Sequence, residues 1–401
     1  MLIQPKIRGF ICTTAHPQGC AAHVAEQIAH ARAQAPLAGA PKRVLVVGAS
    51  TGYGLASRIA AAFAGGAATV GVAFEKSPEA DRTATAGWYN TAAFEQEAKK
   101  AGLYARSFNG DAYSDAMKEE VFAAIKKDLG TIDAFVYSLA SPRRNHPTTG
   151  EQFRSVLKPI GPAYTAKSLD TDRKQIVEVT LPTAIEDEIR QTVAVMGGED
   201  WEMWMEGLRK HGLIAHNFFT TAYSYIGPEV TWPIYRDGTI GRAKQDLERA
   251  QKAIEKSLGS VNGKAYVTVC KGVVTQASSA IPVVPLYISI LFKVMKQAGT
   301  HEGTIEQITR LWQQLSAGKP NLDSEGRVRI DEREMETKIQ KEIARVWPLV
   351  TTENLNELTD FEGYQKEFLR LFGYGFHGVD YAKDTSPMVQ IPSIPEAQPK
   401  A

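Results

Sequence analysis

The 401-residue sequence has few cysteines, no excess of charge of one sign and no long apolar run. Three cysteines, Cys12, Cys20 and Cys270, are too few for a disulfide scaffold and are typical of a reducing compartment. The 46 basic residues nearly balance the 45 acidic ones, for a net charge of +1. Nucleic acid is therefore not expected as a partner, because counterion release needs a clustered basic surface.

Signals for export or membrane insertion are also missing. The N-terminus has no apolar segment of the kind found in secretory signals. The most apolar stretch, residues 280–295, is shorter than the ~20 residues that span a bilayer, and it contains prolines and a lysine. We therefore expect a cytoplasmic protein that does not bind membranes. A hydrophobic fraction of 43% excludes a disordered chain and is enough for a large core.

What the chain does have is an alternation of strands and helices. Short branched apolar runs predict strands at 43–47, 68–74, 103–108, 132–138, 218–226 and 264–270. Helices are predicted at 54–64, 88–101, 114–127, 184–196, 199–211 and 239–258. Such alternation indicates βαβ units and a parallel sheet.

This pattern predicts an α/β fold with a doubly wound parallel (Rossmann) sheet. We expect one enlarged dinucleotide-binding domain over residues 1–401. Proline-rich residues 141–182 are predicted to form an insertion containing a β-hairpin. Residues 280–372 are predicted to form a mainly helical region on the substrate side, in which the apolar segment 280–295 lies beside an apolar part of the substrate or simply packs in the core.

A glycine-rich loop follows the first of these strands. Gly48, Gly52 and Gly54 stand between a predicted strand and a predicted helix, in the pattern G-x-x-x-G-x-G. Glycines let the backbone turn sharply and approach a pyrophosphate at the helix N-terminus. This context favours a dinucleotide site, and the alternative is a tight turn without a ligand.

The ends of the next strands supply further candidates for cofactor binding. Glu75 follows the second strand, where an acidic residue accepts hydrogen bonds from the adenosine ribose and repels a 2′-phosphate. This favours NADH over NADPH, and the alternative is a solvated carboxylate. Asp111 follows the third strand and is a candidate for contact with adenine, or else for an N-cap or Asx turn.

Tyr235 and Lys244 are the candidate catalytic pair. A tyrosine hydroxyl can polarise a substrate oxygen while a nearby ammonium favours the developing anion. Their spacing of nine would place them on opposite faces of one continuous helix. We therefore expect Tyr235 in a loop that includes the Asp237-Gly238 turn, and Lys244 in the second turn of a helix with Thr239 as its N-cap. The alternative is a core tyrosine and a solvated lysine.

Together, Tyr-x8-Lys, GASTGYG, FE, SLASP and MGGEDWEMW resemble the bacterial trans-2-enoyl-thioester reductases related to the short-chain dehydrogenases. The resemblance covers nearly the whole chain, with no departure at the motif positions. It implies NADH-dependent reduction of enoyl thioesters of acyl carrier protein or CoA in fatty acid elongation. It also implies a monomer, with Tyr235 and Lys244 as catalytic residues and Tyr225 as a substrate contact. The implied cofactor-binding residues are Gly48, Ala49, Ser50, Thr51, Gly52, Tyr53, Phe74, Glu75, Asp111, Ala112, Leu139, Ala140, Lys244, Val273, Val274 and Thr275.

Two other activities use the same scaffold. A ketoacyl or alcohol dehydrogenase would reduce acetoacetyl rather than crotonyl thioesters, and a redox sensor would bind NAD without catalysis. Arg143 and Arg144 are candidates for contact with the phosphate of a pantetheine carrier or with acidic residues of a carrier protein, unless they form a solvated charge pair. Cys12, His16, Cys20 and His23 are of the right types for zinc, but their spacing is unlike that of paired zinc ligands, so no metal is expected.

Overall fold

The computed structural model describes residues 1–139 and 141–395. In chain order its strands are β1 Ile7–Arg8, β2 Ile11–Cys12, β3 Arg43–Val47, β4 Ala68–Ala73, β5 Ala105–Asn109, β6 Ile132–Tyr137, β7 Arg143–Asn145, β8 Gln152–Arg154, β9 Tyr164–Asp170, β10 Gln175–Leu181, β11 Ile214–Ser224, β12 Lys264–Val269 and β13 Val328–Arg329. Its α-helices are α1 Pro17–Ala33, α2 Gly52–Phe63, α3 Ala86–Lys100, α4 Asp115–Asp128, α5 Glu186–Met196, α6 Glu199–Lys210, α7 Thr239–Ser257, α8 Gln276–Ser279, α9 Val284–Gln297, α10 Thr304–Ser316, α11 Thr337–Val346, α12 Leu355–Leu358 and α13 Phe361–Arg370.

A seven-stranded parallel sheet forms the centre of the fold, in the order β13-β12-β11-β6-β3-β4-β5. The first strand of this sheet along the chain is β3. From there the chain runs outward through β4 and β5 and then returns to form β6 on the other side of β3. This is the predicted doubly wound arrangement. Its switch point lies between β3 and β6, where ligands of open parallel sheets bind at the carboxyl ends of the strands.

Both faces of the sheet are covered, which explains the continuous apolar runs of the inner strands. Alternate residues of β3 enter two different cores. Val44 and Val46 pack with α1, α2 and α10, whereas Leu45 and Val47 pack with α4, α6 and α7. A third core gathers α9, α11 and α13 on the substrate side.

The insertion holds two antiparallel hairpins, where the sequence predicted one. They are β7 with β8 and β9 with β10. Short alternating strands separated by prolines carry a weak sequence signal, so the three-residue strands of the first hairpin were missed. Helix α1 and the edge strand β13 were not predicted either.

Candidate active site

A cleft of about 760 Å³ lies at the carboxyl ends of the central strands. The candidate site residues that line it are Gly48, Ser50, Thr51, Gly52, Tyr53, Phe74, Glu75, Asp111, Ala112, Leu139, Tyr225, Tyr235, Lys244, Val273 and Thr275. Two candidates, Ala49 and Val274, are buried and do not line it, and the backbone N–H of Ala49 donates to Val72 O of the neighbouring strand. Ala140 lies outside the described residues. Gly48 and Thr275, 227 positions apart in the chain, thus meet in one cleft.

Two glycines of the loop are required by close packing within the protein itself. Gly48 has a φ of +83°, and a Cβ there would lie 2.0 Å from Ser138 O of the adjacent strand end. A Cβ on Gly54 would lie 1.9 Å from Gly48 O. Helix α2 starts at Gly52, and in the described part of the chain the Thr51 side chain caps none of its N–H groups. Gly52 and Tyr53 line the cleft, so the uncapped helix start fits the diphosphate of a dinucleotide.

Glu75 is held in place by two hydroxyl groups. Ser50 Oγ donates to Glu75 Oε1 over 2.6 Å, and Thr85 Oγ1 donates to Oε2 over 2.5 Å. Gly87 makes room for the carboxylate, because a Cβ there would lie 2.1 Å from Oε1. Burial raises the pKa of Glu75, while both hydroxyls oppose the rise. A carboxylate has about four acceptor positions, so some remain for a ribose.

Two neighbouring candidates differ in what they offer to an adenosine. The Phe74 side chain is 77% exposed in the wall of the cleft, which is unusual for a phenylalanine and leaves a free aromatic face. Asp111 Oδ1 accepts the N–H of Tyr113 over 3.0 Å, which is the Asx turn that the sequence left as an alternative. Asp111 also lines the cleft, so one role does not exclude the other.

Tyr235 and Lys244 lie as their spacing predicted, one in the turn before α7 and the other in its second turn. The predicted N-cap was wrong. Gly238 is the N-cap, and the hydroxyl of Thr239 instead donates to Val156 O over 2.5 Å, which ties the helix start to the insertion. Sequence alone could not reveal that acceptor, because it comes from a distant segment.

The environment of the pair suits a proton donor beside a cation. Lys244 Nζ donates to Tyr223 O over 3.0 Å, and burial lowers the pKa of Lys244 to about 8. Burial raises the pKa of Tyr235, which keeps its hydroxyl protonated. Within the described residues that hydroxyl has no hydrogen-bond partner, so it is available to a ligand in the cleft.

Tyr225 connects the pair to a buried carboxylate that the sequence did not reveal. Its ring packs edge-to-face against that of Tyr235, with centroids 4.9 Å apart. The Tyr225 hydroxyl donates to Glu334 Oε1 over 3.1 Å, and the Tyr287 hydroxyl donates to the same oxygen over 2.5 Å. Gly272 N–H donates to Oε2 over 2.6 Å. Glu334 is 0% exposed, yet in the sequence it stands in a charged run that resembles a solvated loop.

Comparison with known proteins identifies the family. Residues 82–315 match the family model of the trans-2-enoyl-CoA reductase catalytic region, and residues 2–80 match its NAD(P)H binding domain. The chain belongs to the trans-2-enoyl-CoA reductase family. It is 57% identical over 391 residues to the enoyl-[acyl-carrier-protein] reductase [NADH] of Opitutus terrae, covering 97% of this chain and 99% of that one.

A solved structure agrees with this assignment. The trans-2-enoyl-CoA reductase of Treponema denticola in complex with NAD is 46% identical and superposes with a TM-score of 0.92, covering 98% of this chain and 100% of that one. The predictions of the family, of a Rossmann-like α/β fold and of an NADH-dependent enoyl thioester reductase of fatty acid synthesis are thereby confirmed.

A third match, over residues 322–385, is to a family described as an enoyl reductase FAD binding domain. The residues present do not fit a flavin dinucleotide. Short helices α11, α12 and α13 place their buried side chains against α9. A cavity of about 400 Å³ beside α13 is lined by Asp172 and mostly apolar or neutral side chains, and no described cation lines it to hold a diphosphate. We assign no step to a flavin.

Residues 1–139 and 141–395 contain neither a membrane-spanning helix nor a cluster of metal-binding side chains. No helix there is long and apolar enough to cross a membrane. No group of three or more His, Cys, Asp or Glu side chains is placed to hold a metal ion.

Proposed function

We propose that Tyr235 is the proton donor and Lys244 the supporting cation in the reduction of a trans-2-enoyl thioester. The observation that carries this assignment is the free Tyr235 hydroxyl in the same cleft as the glycine loop and the Lys244 ammonium. Bound NADH supplies the hydride that the β-carbon of the substrate accepts. Tyr235 then donates its proton or a hydrogen bond to the thioester oxygen, on which the negative charge collects, and protonation of the α-carbon completes the saturated thioester.

Other side chains place the two ligands. The N–H groups at the start of α2 would hold the cofactor diphosphate, and Glu75 would accept from the adenosine ribose. The Tyr225 ring supports that of Tyr235 by its edge-to-face contact. Because the Tyr225 hydroxyl donates its hydrogen bond to Glu334, it offers the substrate only lone pairs. Ile281, Val284 and Ile288 provide the apolar lining against which an acyl chain packs.

We further propose that the thioester is presented by acyl carrier protein, since relatives 55–57% identical to this chain are named for that substrate. A monomeric state and a cytoplasmic location stay predictions. Three free, buried cysteines are compatible with a reducing compartment.

Oxidation of NADH with crotonyl-CoA, acetoacetyl-CoA or no thioester tests the proposal. We expect turnover with crotonyl-CoA and its loss, by about a hundredfold or more, in Tyr235→Phe. Tyr266→Phe is the matched control, because Tyr266 lies on β12 outside the cleft. Preference for acetoacetyl-CoA would favour a ketoacyl dehydrogenase. Near-normal crotonyl-CoA reduction by Tyr235→Phe would refute the assigned role.

A further inference from the structure

The hairpin of β7 and β8 places two arginines opposite each other, of which Arg143 lines the cleft and Arg154 stands outside its lining. Arg143 on β7 is the register partner of Arg154 on β8, and both are exposed. Directly opposed residues of an antiparallel pair point to the same face, and like charges there are destabilising. An anion bound between the two guanidinium groups would relieve this repulsion.

The arginine next in sequence points the other way. Arg144 is 1% exposed, and its Nη1 donates to Glu199 Oε2 and to Ala194 O, each over 2.6 Å. The hypothesis that Arg143 and Arg144 act together at the surface is therefore wrong, because neighbours on a strand face opposite sides. In the structure, the exposed partner of Arg143 is Arg154 and not Arg144.

Nearby carboxylates are occupied by other cations. Glu199 pairs with Arg144 and His146, and Glu151 pairs with Arg190. Within the described residues neither Arg143 nor Arg154 has a carboxylate oxygen within 4.0 Å. Their two guanidinium groups therefore have donors to offer to a ligand.

The rest of the same hairpin face is polar and lines the cleft. Arg143, Asn145 and Gln152 are all among the lining residues, and the Gln152 side-chain amide donates to Asn145 Oδ1 over 3.1 Å. The apolar lining lies elsewhere in the cleft, at Ile281 and Val284. One cleft thus joins a cationic wall, the Tyr235 hydroxyl and an apolar wall.

We propose that the exposed face of this hairpin, through Arg143 and Arg154, binds the phosphate of the pantetheine arm of the thioester substrate. This inference rests on the proposed function, because it assumes a pantetheine thioester in the cleft. CoA and acyl carrier protein share that phosphate, whereas their remaining structures differ. Binding the phosphate at the hairpin and the acyl chain at the apolar wall orients the thioester past Tyr235.

The test compares the Arg143→Gln/Arg154→Gln double variant with wild type on three substrates. These are crotonyl-pantetheine, which has no phosphate, crotonyl-4′-phosphopantetheine and crotonyl-CoA. We expect KM to rise about tenfold for the two phosphorylated substrates and less than about twofold for crotonyl-pantetheine, with little change in kcat. Crotonyl-acyl-carrier-protein is the fourth arm and is expected to follow the phosphorylated substrates.

Two controls separate this role from others. Arg8→Gln removes an exposed arginine from a different hairpin and should leave all KM values unchanged. The dissociation constant of NADH, measured by fluorescence titration, should be the same in the double variant and in wild type.

Three results would overturn the inference. A rise of KM for crotonyl-pantetheine equal to that for the phosphorylated substrates would mean that the arginines do not bind the phosphate. A rise confined to the carrier protein would mean that the face binds acidic protein residues. A dissociation constant of NADH that rises about as much as KM would mean that the arginines bind the cofactor instead. Absence of crotonyl-CoA turnover in wild type would instead refute the proposed function.

Discussion

Replacement of Lys244 by methionine is expected to abolish catalysis and yet stabilise the fold. Burial lowers the pKa of Lys244 from 10.5 to about 8. This corresponds to about 3 kcal/mol against the ammonium in the folded protein. Methionine has a similar length and no charge, so the substitution removes that cost. It also removes the hydrogen bond to Tyr223 O, worth about 1 kcal/mol. A net stabilisation of about 2 kcal/mol is expected at pH 7.

The pH dependence follows from the direction of the pKa change. Because the folded pKa of Lys244 is the lower one, the unfolded chain binds more protons between pH 8 and 10.5. The contribution of Lys244 to the free energy of unfolding therefore rises with pH across that window, and its penalty is fully present below pH 8. Lys244→Met lacks this rise, so its advantage over wild type should shrink towards high pH.

Thermal unfolding without cofactor, at pH 7 and at about pH 9.5, measures both effects. For a chain of this length, 2 kcal/mol corresponds to a Tm higher by about 2 °C. Lys252→Met on the exposed side of the same helix is the control, with an expected change within about 0.5 kcal/mol. A lower Tm for Lys244→Met at pH 7 would refute the reasoning, since it would show that the buried ammonium stabilises the fold.

Two further predictions concern Glu334, buried behind Tyr225, and Glu75 in the wall of the cleft. Glu334→Gln should lower kcat with crotonyl-CoA about tenfold, because an amide cannot accept from Tyr225, Tyr287 and Gly272 N–H together. Tyr287→Phe removes a donor from the same oxygen but leaves Tyr225 bonded, and equal losses in the two variants would contradict a role through Tyr225. Glu75→Ala should raise the ratio of kcat/KM for NADPH over NADH about tenfold, because it removes the charge that repels a 2′-phosphate. Steady-state kinetics with both cofactors measures this, and an unchanged ratio would argue against that role of Glu75.

The central sheet could be predicted because its strands carry a local signal. The strand at 43–47 is a run of branched apolar residues ended by a glycine, and its predicted bounds match β3. Strand β13 could not be predicted in this way. It has only two residues, too few for a local pattern, and it pairs with β12 where Val328 is buried in a core formed by distant segments.

The glycine loop and the Tyr235–Lys244 spacing were determined by the sequence itself, because turn geometry and helix periodicity act over a few residues. Only the tertiary structure decided which distant side chains meet them. It brought Glu334 to Tyr225 across 109 positions, and it paired Arg143 with Arg154 while burying Arg144. Side-chain direction and burial depend on segments that pack from far along the chain, and no local pattern records those contacts.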